Sequence, residues 1–194
     1  MITVIIAVAI AYLLGSLQIA TIVCKAIGVS DPRQEGSKNP GTTNVLRLGG
    51  KIPALLVLIG DMLKGVIPVL LAQRLGLAGI ALGFVALAAF LGHVFPIFFN
   101  FKGGKGVATT FGVSLALSPV VGALSIATWL IIAFIFRYSS LAAIVTCVFI
   151  PIYIAIFSDH GYLIPIILIT IILLWKHTEN IKRLLHKEEG KIKL

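Results

Sequence analysis

VATTFGVSLALSPVVGALSIATWLIIAFIF, residues 107 to 136, is a run of about 30 residues without one charged side chain, and its division decides the fold. A bilayer-crossing helix needs about 20 apolar residues, so the run is either one long span or two short ones. Ser118-Pro119 stands in its middle, as a tight turn between two helices or as a kink in one. Outward from it, the other apolar runs fall near 3–27, 52–73, 77–97, 140–157 and 161–175. Division into 107–118 and 119–136 gives seven spans; one bent span gives six.

Basic residues separate the two, because cytoplasmic segments carry the excess of Lys and Arg. With seven spans, one side holds Lys25, Arg33, Lys38, Arg47, Lys51, Lys102, Lys105, Arg137 and the tail's Lys176, Lys182, Arg183, Lys187, Lys191 and Lys193. The other side holds only Arg74. Six spans would send the basic tail outward. The expected fold is an all-α integral membrane protein, one polytopic domain over 1–194, with seven transmembrane helices, the N-terminus outside and the C-terminus cytoplasmic.

Composition agrees. The 194 residues are 59% hydrophobic and 12% charged, with a mean hydropathy of +1.09, far from a soluble domain. Ile2 to Val23 is too long for a signal-peptide core, has no basic leader and has no small-x-small site before Cys24, so it reads as a retained span. Cys24 and Cys147 lie at or inside spans without a CxxC pair or clustered histidines, and read as packing residues, with no metal site. A net charge of +9 is explained by topology and anionic lipid headgroups rather than by nucleic acid.

Chemistry concentrates in three segments of the basic side, 28–51, 98–106 and 176–194. The connections near 74–77, 118–119 and 158–160 are short and plain, and His160 carries no role. Phe101-Lys102-Gly103-Gly104-Lys105-Gly106-Val107 runs from glycines into an apolar helix, so backbone N–H groups and two ammonium groups converge as an anion site. It is not a nucleotide P-loop, since Gly106 follows Lys105 where Ser or Thr is required and no strand precedes it. Glu35 to Arg47 offers hydroxyls, amides and glycines on a flexible loop, with Arg47 able to grip a phosphate bidentately. In the tail, a helical continuation of the last span puts His177 and Asn180 at i and i+3, on one face, where they could hold a polyol or take a proton; the alternative is an interfacial cap anchored by Trp175. Asp61 and Lys64, at i and i+3 inside the second span, read as a structural ion pair. His93 and Asn100 bracket the end of the third span.

Together the three segments resemble the three signature motifs of the bacterial acyl-phosphate:glycerol-3-phosphate acyltransferase family. Gly36-Ser37-x-Asn39-Pro40-Gly41-x-Thr43-Asn44-Val45-Leu46-Arg47 is similar to the first. Gly92-His93-x-Phe95-Pro96 through Phe101-Lys102-Gly103-Gly104-Lys105-Gly106-Val107-Ala108-Thr109 is similar to the second, and His177-x-x-Asn180-Ile181-x-Arg183-Leu184 to the third. Gly60-Asp61-x-x-Lys64-Gly65 and Arg137-Tyr138-Ser139-Ser140 look like secondary signatures. Lys38 and Thr42 stand where the family usually has Gly and Ala, and Lys187 replaces a Gly after the third motif, which leaves the role of Glu189 open.

The resemblance implies transfer of a fatty acyl group from acyl phosphate to the 1-hydroxyl of glycerol 3-phosphate, yielding lysophosphatidic acid and phosphate, without a cofactor. It implies a catalytic set of Ser37, Lys105, His177 and Asn180. Acyl phosphate would be held by Ser37, Thr43, Gly103, Gly104, Lys105 and Ser139, and glycerol 3-phosphate by Asn39, Arg47, Lys105, His177 and Asn180. The base is His177 or a phosphate oxygen of the substrate. The membrane would be the bacterial cytoplasmic (inner) membrane with the site facing the cytoplasm; membrane lipids are the surroundings, and the oligomeric state stays open, a monomer being compatible. Neither an HxxxxD pair nor a Ser-His-Asp set is visible, as an already activated mixed anhydride allows. Rival readings are a transporter of a phosphorylated metabolite, from intramembrane Asp61 and Lys64, and a noncatalytic lipid-binding scaffold.

Overall fold

The computed structural model describes residues 1–192; Lys193, counted above in the basic tail, lies outside them. Regular structure among these residues is helical: α1 Ile2–Gly15, α2 Ile19–Ala26, α3 Thr42–Gly49, α4 Lys51–Arg74, α5 Gly79–Val94, α6 Val107–Leu117, α7 Pro119–Phe136, α8 Ser139–Phe157, α9 Leu163–Lys176 and α10 Thr178–Leu185. Short 3₁₀ turns follow α5 and precede α9. Long apolar side chains cover the outside, among them Phe134 at 76% exposure, as a lipid-facing surface requires.

Helices meet closely where glycines remove the Cβ. A Cβ on Gly92 of α5 would overlap the backbone of α1 at Tyr12 and Gly15, and one on Gly112 of α6 would overlap the Met62 backbone of α4. Such small-residue contacts are how helices pack in lipid, where burial of apolar surface gives no drive to associate. Phe90, Leu82 and Val85 of α5 are fully buried at the centre.

Four expectations change. The first span, expected unbroken over 3–27, is interrupted at Ser16 to Gln18. One freed backbone group is satisfied from elsewhere, since Lys64 Nζ donates to Leu17 O at 2.7 Å, and at the same break the Gln18 side-chain amide donates to Lys102 O. The segment 28–51, read as a flexible loop, contains α3, which buries Val45 and Asn44. The tail does not continue α9, since α10 is bent from it by 55° with His177 at the joint.

The stretch 107–118, expected as a full span, is α6, with 11 residues and a length of about 17 Å, against the ~30 Å of a hydrocarbon core. Five helical stretches are long and apolar enough to cross a bilayer: Ile2–Ala26 taken across its break, α4, Gly79–Phe99, α7 and α8; the bent pair His160–Lys176 with α10 brings the number to six.

Candidate active site

Four helices begin at one cavity of about 650 Å³. At its polar end, α3 presents Thr42 and Thr43, α6 presents Gly106 to Ala108, α8 presents Ser139 and Ser140, and α10 brings Asn180 beside His177. None of these helix starts is capped by a side chain, and the first amides of α3, α6 and α8 find no acceptor among the described residues. Unpaired N–H groups and the positive ends of helix dipoles therefore point into one space, and each favours an anion. Gly106 makes the turn into α6 possible, with φ +89° and no room for a Cβ against the Phe90 ring.

Side chains add charge in the same sense. Arg47, Lys105 and Arg183 line the cavity, and Lys105 Nζ donates to Asn180 Oδ1. Burial pushes the Lys105 ammonium down to about 8, the nearby Arg183 adds to this, and Glu189 opposes it. Asn180 turns its Nδ2 to Glu189 Oε1 at 2.7 Å, and the same oxygen accepts from Ser140 Oγ at 2.6 Å. Arg183 Nε donates to Glu189 Oε2 at 2.7 Å. Burial acts to raise the Glu189 carboxyl, yet these three bonds hold it below the usual carboxylate range.

His177 lies 2.8 Å from Leu173 O through Nδ1, so Nδ1 carries the proton and only Nε2 is left as an acceptor. Burial lowers this imidazole to about 4, against the partial support of the Leu173 bond. Thr43 Oγ1 and Ser139 Oγ are 3.1 Å apart, joining α3 to α8.

Of the residues singled out from sequence, Ser37, Asn39, Thr43, Arg47, Lys105, Ser139, His177 and Asn180 all line this cavity. Gly103 and Gly104 do not. A Cβ on Gly103 would overlap His93 O and reach the Pro96 ring, and one on Gly104 would overlap the His93 imidazole. These glycines let the loop pack closely on the end of α5, and the residues of this segment that line the cavity are Lys105, Gly106, Val107 and Ala108. Asp61 and Lys64 pair at 2.9 Å inside the bundle, with Lys64 also holding the broken first span, and Asp61 and His93 reach the cavity wall.

Several residues went unassigned from sequence. Asn44 staples the first loop, its Nδ2 donating to Pro32 O at 2.8 Å and Glu35 O at 3.0 Å while Oδ1 accepts from Ser37 N–H at 2.9 Å. Ser140 and Arg183 stood in the quoted motifs, but nothing in their spacing showed that both meet Glu189. Lys187, where the family pattern has Gly, adopts φ +61° at the end of α10, and Glu188 N–H closes the turn on Arg183 O at 2.8 Å. The Gly is explained by this left-handed position, and Lys187 still delivers Glu189 to its partners. No group of three or more His, Cys, Asp or Glu among the described residues could hold a metal ion.

Residues 5–187 match the family described as Glycerol-3-phosphate acyltransferase. The chain belongs to the glycerol-3-phosphate acyltransferase family. It is 53% identical over 190 residues to the glycerol-3-phosphate acyltransferase of Coxiella burnetii (strain RSA 493 / Nine Mile phase I), covering 98% of each chain. With that of Burkholderia multivorans it shares 52% over 192 residues, 97% of this chain and 91% of the other. Its fold is similar to the crystal structure of PlsY (YgiH), an integral membrane glycerol 3-phosphate acyltransferase, in the glycerol 3-phosphate form. There the TM-score is 0.93 at 41% identity, covering 98% and 96% of the two chains. For the lysophosphatidic acid form the TM-score is 0.91 at 39% identity, covering 98% and 95%. Membership in the glycerol-3-phosphate acyltransferase family makes the chain an integral membrane acyltransferase.

Proposed function

We propose that the protein moves a fatty acyl group from acyl phosphate to the 1-hydroxyl of glycerol 3-phosphate, releasing lysophosphatidic acid and phosphate. The observation that carries this reading is the meeting of four uncapped helix starts with Arg47, Lys105 and Arg183 at one end of a cavity whose other end is apolar. Two phosphates suit the polar end, and an alkyl chain suits Leu58, Met62, Phe111 and Ile126 beyond it.

Acyl phosphate lies at the start of α6, where the amides of Gly106 to Ala108, Lys105 and the hydroxyls of Ser37, Thr43 and Ser139 surround its phosphate. Glycerol 3-phosphate lies toward α10, bound by Arg47, Lys105, Asn39, His177 and Asn180. The 1-hydroxyl oxygen attacks the acyl carbonyl carbon, and the C=O pair moves onto oxygen. Collapse breaks the bond to the bridging oxygen, which leaves with its electron pair on phosphate. The hydroxyl proton passes to an oxygen of that phosphate, because His177 offers only Nε2 and an imidazole held at about 4 is a weak base at neutral pH. His177 Nε2 orients the hydroxyl as an acceptor.

Purified protein incubated with palmitoyl phosphate and labelled glycerol 3-phosphate should yield labelled lysophosphatidic acid and inorganic phosphate in equal amounts. Product formed from an acyl thioester and not from palmitoyl phosphate would sink the choice of donor.

For topology we propose seven crossing elements in the bacterial inner membrane, with the N-terminus outside and the cavity facing the cytoplasm. Lys105 before α6 and Ser139 after α7 line the same cavity, so the chain between them leaves and returns. A single bent span over 107–136 would not return; α6 is thus the short outward element. With Cys24 and Cys147 replaced by alanine, cysteines at Glu35, Lys102 and Lys182 should react with an impermeant maleimide only after the cells are opened. Cysteines at Leu75 and His160 should react in intact cells, and labelling of position 182 from outside would refute the seven-element arrangement.

A further inference from the structure

The indole Nε1 of Trp129 is buried and has no hydrogen-bond partner among the described residues. The other polar side chains along that part of α7 are all satisfied within the protein. Ser125 Oγ donates to Val121 O at 2.7 Å, and Thr128 Oγ1 donates to Leu124 O and meets Tyr153 Oη, each at 2.8 Å. A hydroxyl can turn back onto its own helix carbonyl, but an indole N–H cannot. Left unpaired in an apolar surrounding, such a donor carries a desolvation cost, and phenylalanine would fill similar space without that cost.

Trp129 lines the cavity together with Phe111, Ile126 and Leu130. The ring stands edge-on to Phe111, with centroids 6.5 Å apart and planes at 77°. Phe111 lies four residues into α6, so it sits about 6 Å beyond the amides that open that helix. With a phosphate on those amides, the next group of an acyl phosphate toward the apolar end is its carbonyl, directly beyond the bridging oxygen.

Resting on the acyl-transfer reading above, we propose that Trp129 Nε1–H donates to the carbonyl oxygen of the acyl phosphate and serves as an oxyanion donor. As the 1-hydroxyl oxygen bonds to the carbonyl carbon, the C=O pair moves onto this oxygen, and the N–H meets a full negative charge. When the C–O bond to phosphate breaks, the pair returns to form the ester carbonyl and the leaving pair stays on phosphate. The bond strengthens in the transition state, so its loss falls on kcat more than on KM.

The test has two arms. Trp129→Phe, assayed with palmitoyl phosphate and glycerol 3-phosphate, should lower kcat about 10- to 100-fold with KM for glycerol 3-phosphate within threefold. In the Trp175→Phe protein, which leaves Trp129 as the only indole, palmitoyl phosphonate should move the indole ¹⁵N–¹H resonance downfield, and inorganic phosphate alone should not. A kcat within twofold of an active wild-type enzyme would overturn the assignment while leaving acyl transfer standing. An indole resonance unmoved by the phosphonate would overturn it too, without relying on the folding of a variant. Wild-type protein inactive toward palmitoyl phosphate would instead sink the acyl-transfer reading, and this inference with it.

Discussion

Lys105→Met is expected to lower kcat/KM for acyl transfer by about three decades. Lys105 stands between the start of α6 and Asn180, where in the proposed reaction it reaches both phosphates, and a hydrogen bond to a charged group contributes about 1.5 to 3 kcal/mol. Removing two such hydrogen bonds at once slows the reaction by on the order of 10² to 10⁴. The pH profile makes the assignment specific. With burial and Arg183 holding the ammonium at about 8, wild-type kcat/KM should fall above about pH 8, as the free enzyme loses that charge. Folding stability responds in the opposite sense. A lysine whose folded pKa lies below its unfolded value binds fewer protons when folded, so its contribution rises with pH from about 8 toward the ordinary lysine range. Activity lost above about pH 8 while the melting temperature holds would therefore point to catalysis rather than unfolding. Lys105→Arg should move the alkaline limb upward, and a wild-type profile flat to about pH 10 would defeat the assignment.

Gly103→Ala should cost at least two decades in turnover. Its Cβ would overlap His93 O, a backbone atom of α5 that cannot step aside, so the loop carrying Lys105 must lift. A displacement near 1 Å at the reacting groups is enough for about 10² in rate. Because the glycine serves packing, the melting temperature should fall with the activity. Gly104→Ala, which meets the His93 side chain rather than a backbone carbonyl at closest approach, should be the milder of the two. Near-normal turnover in Gly103→Ala would mean that the loop tolerates repositioning and does not set the place of Lys105.

The tolerance at position 187 follows from the same local physics. Lys187 occupies a left-handed turn that glycine adopts without strain, so Lys187→Gly suits the backbone and Glu189 keeps its place either way.

Sequence alone was enough for whatever depends on local composition. The apolar runs marked the helices, since hydrocarbon admits little else, and the basic residues marked one end. Lys105, Arg47, His177 and Asn180 were legible because charged and amide side chains stand out against an apolar background. The glycines before Lys105 were legible as a turn, but not the direction in which that turn faces.

Tertiary structure decided what depends on partners distant in the chain. The break of the first span at Ser16 to Gln18 is held from far along the chain, where Lys64 satisfies the Leu17 carbonyl and the Lys102 carbonyl takes the Gln18 side-chain amide. Nothing within residues 3–27 records those partners. The bounds of α6 were by contrast legible, since Gly106 precedes it and Ser118-Pro119 ends it. Glu189 became part of the site only when Ser140, Asn180 and Arg183 met around it, and Trp129 only when its N–H was found without an acceptor beside Phe111. A hydrogen bond needs both atoms within about 3 Å, and sequence carries one partner at a time; the pairing belongs to the fold.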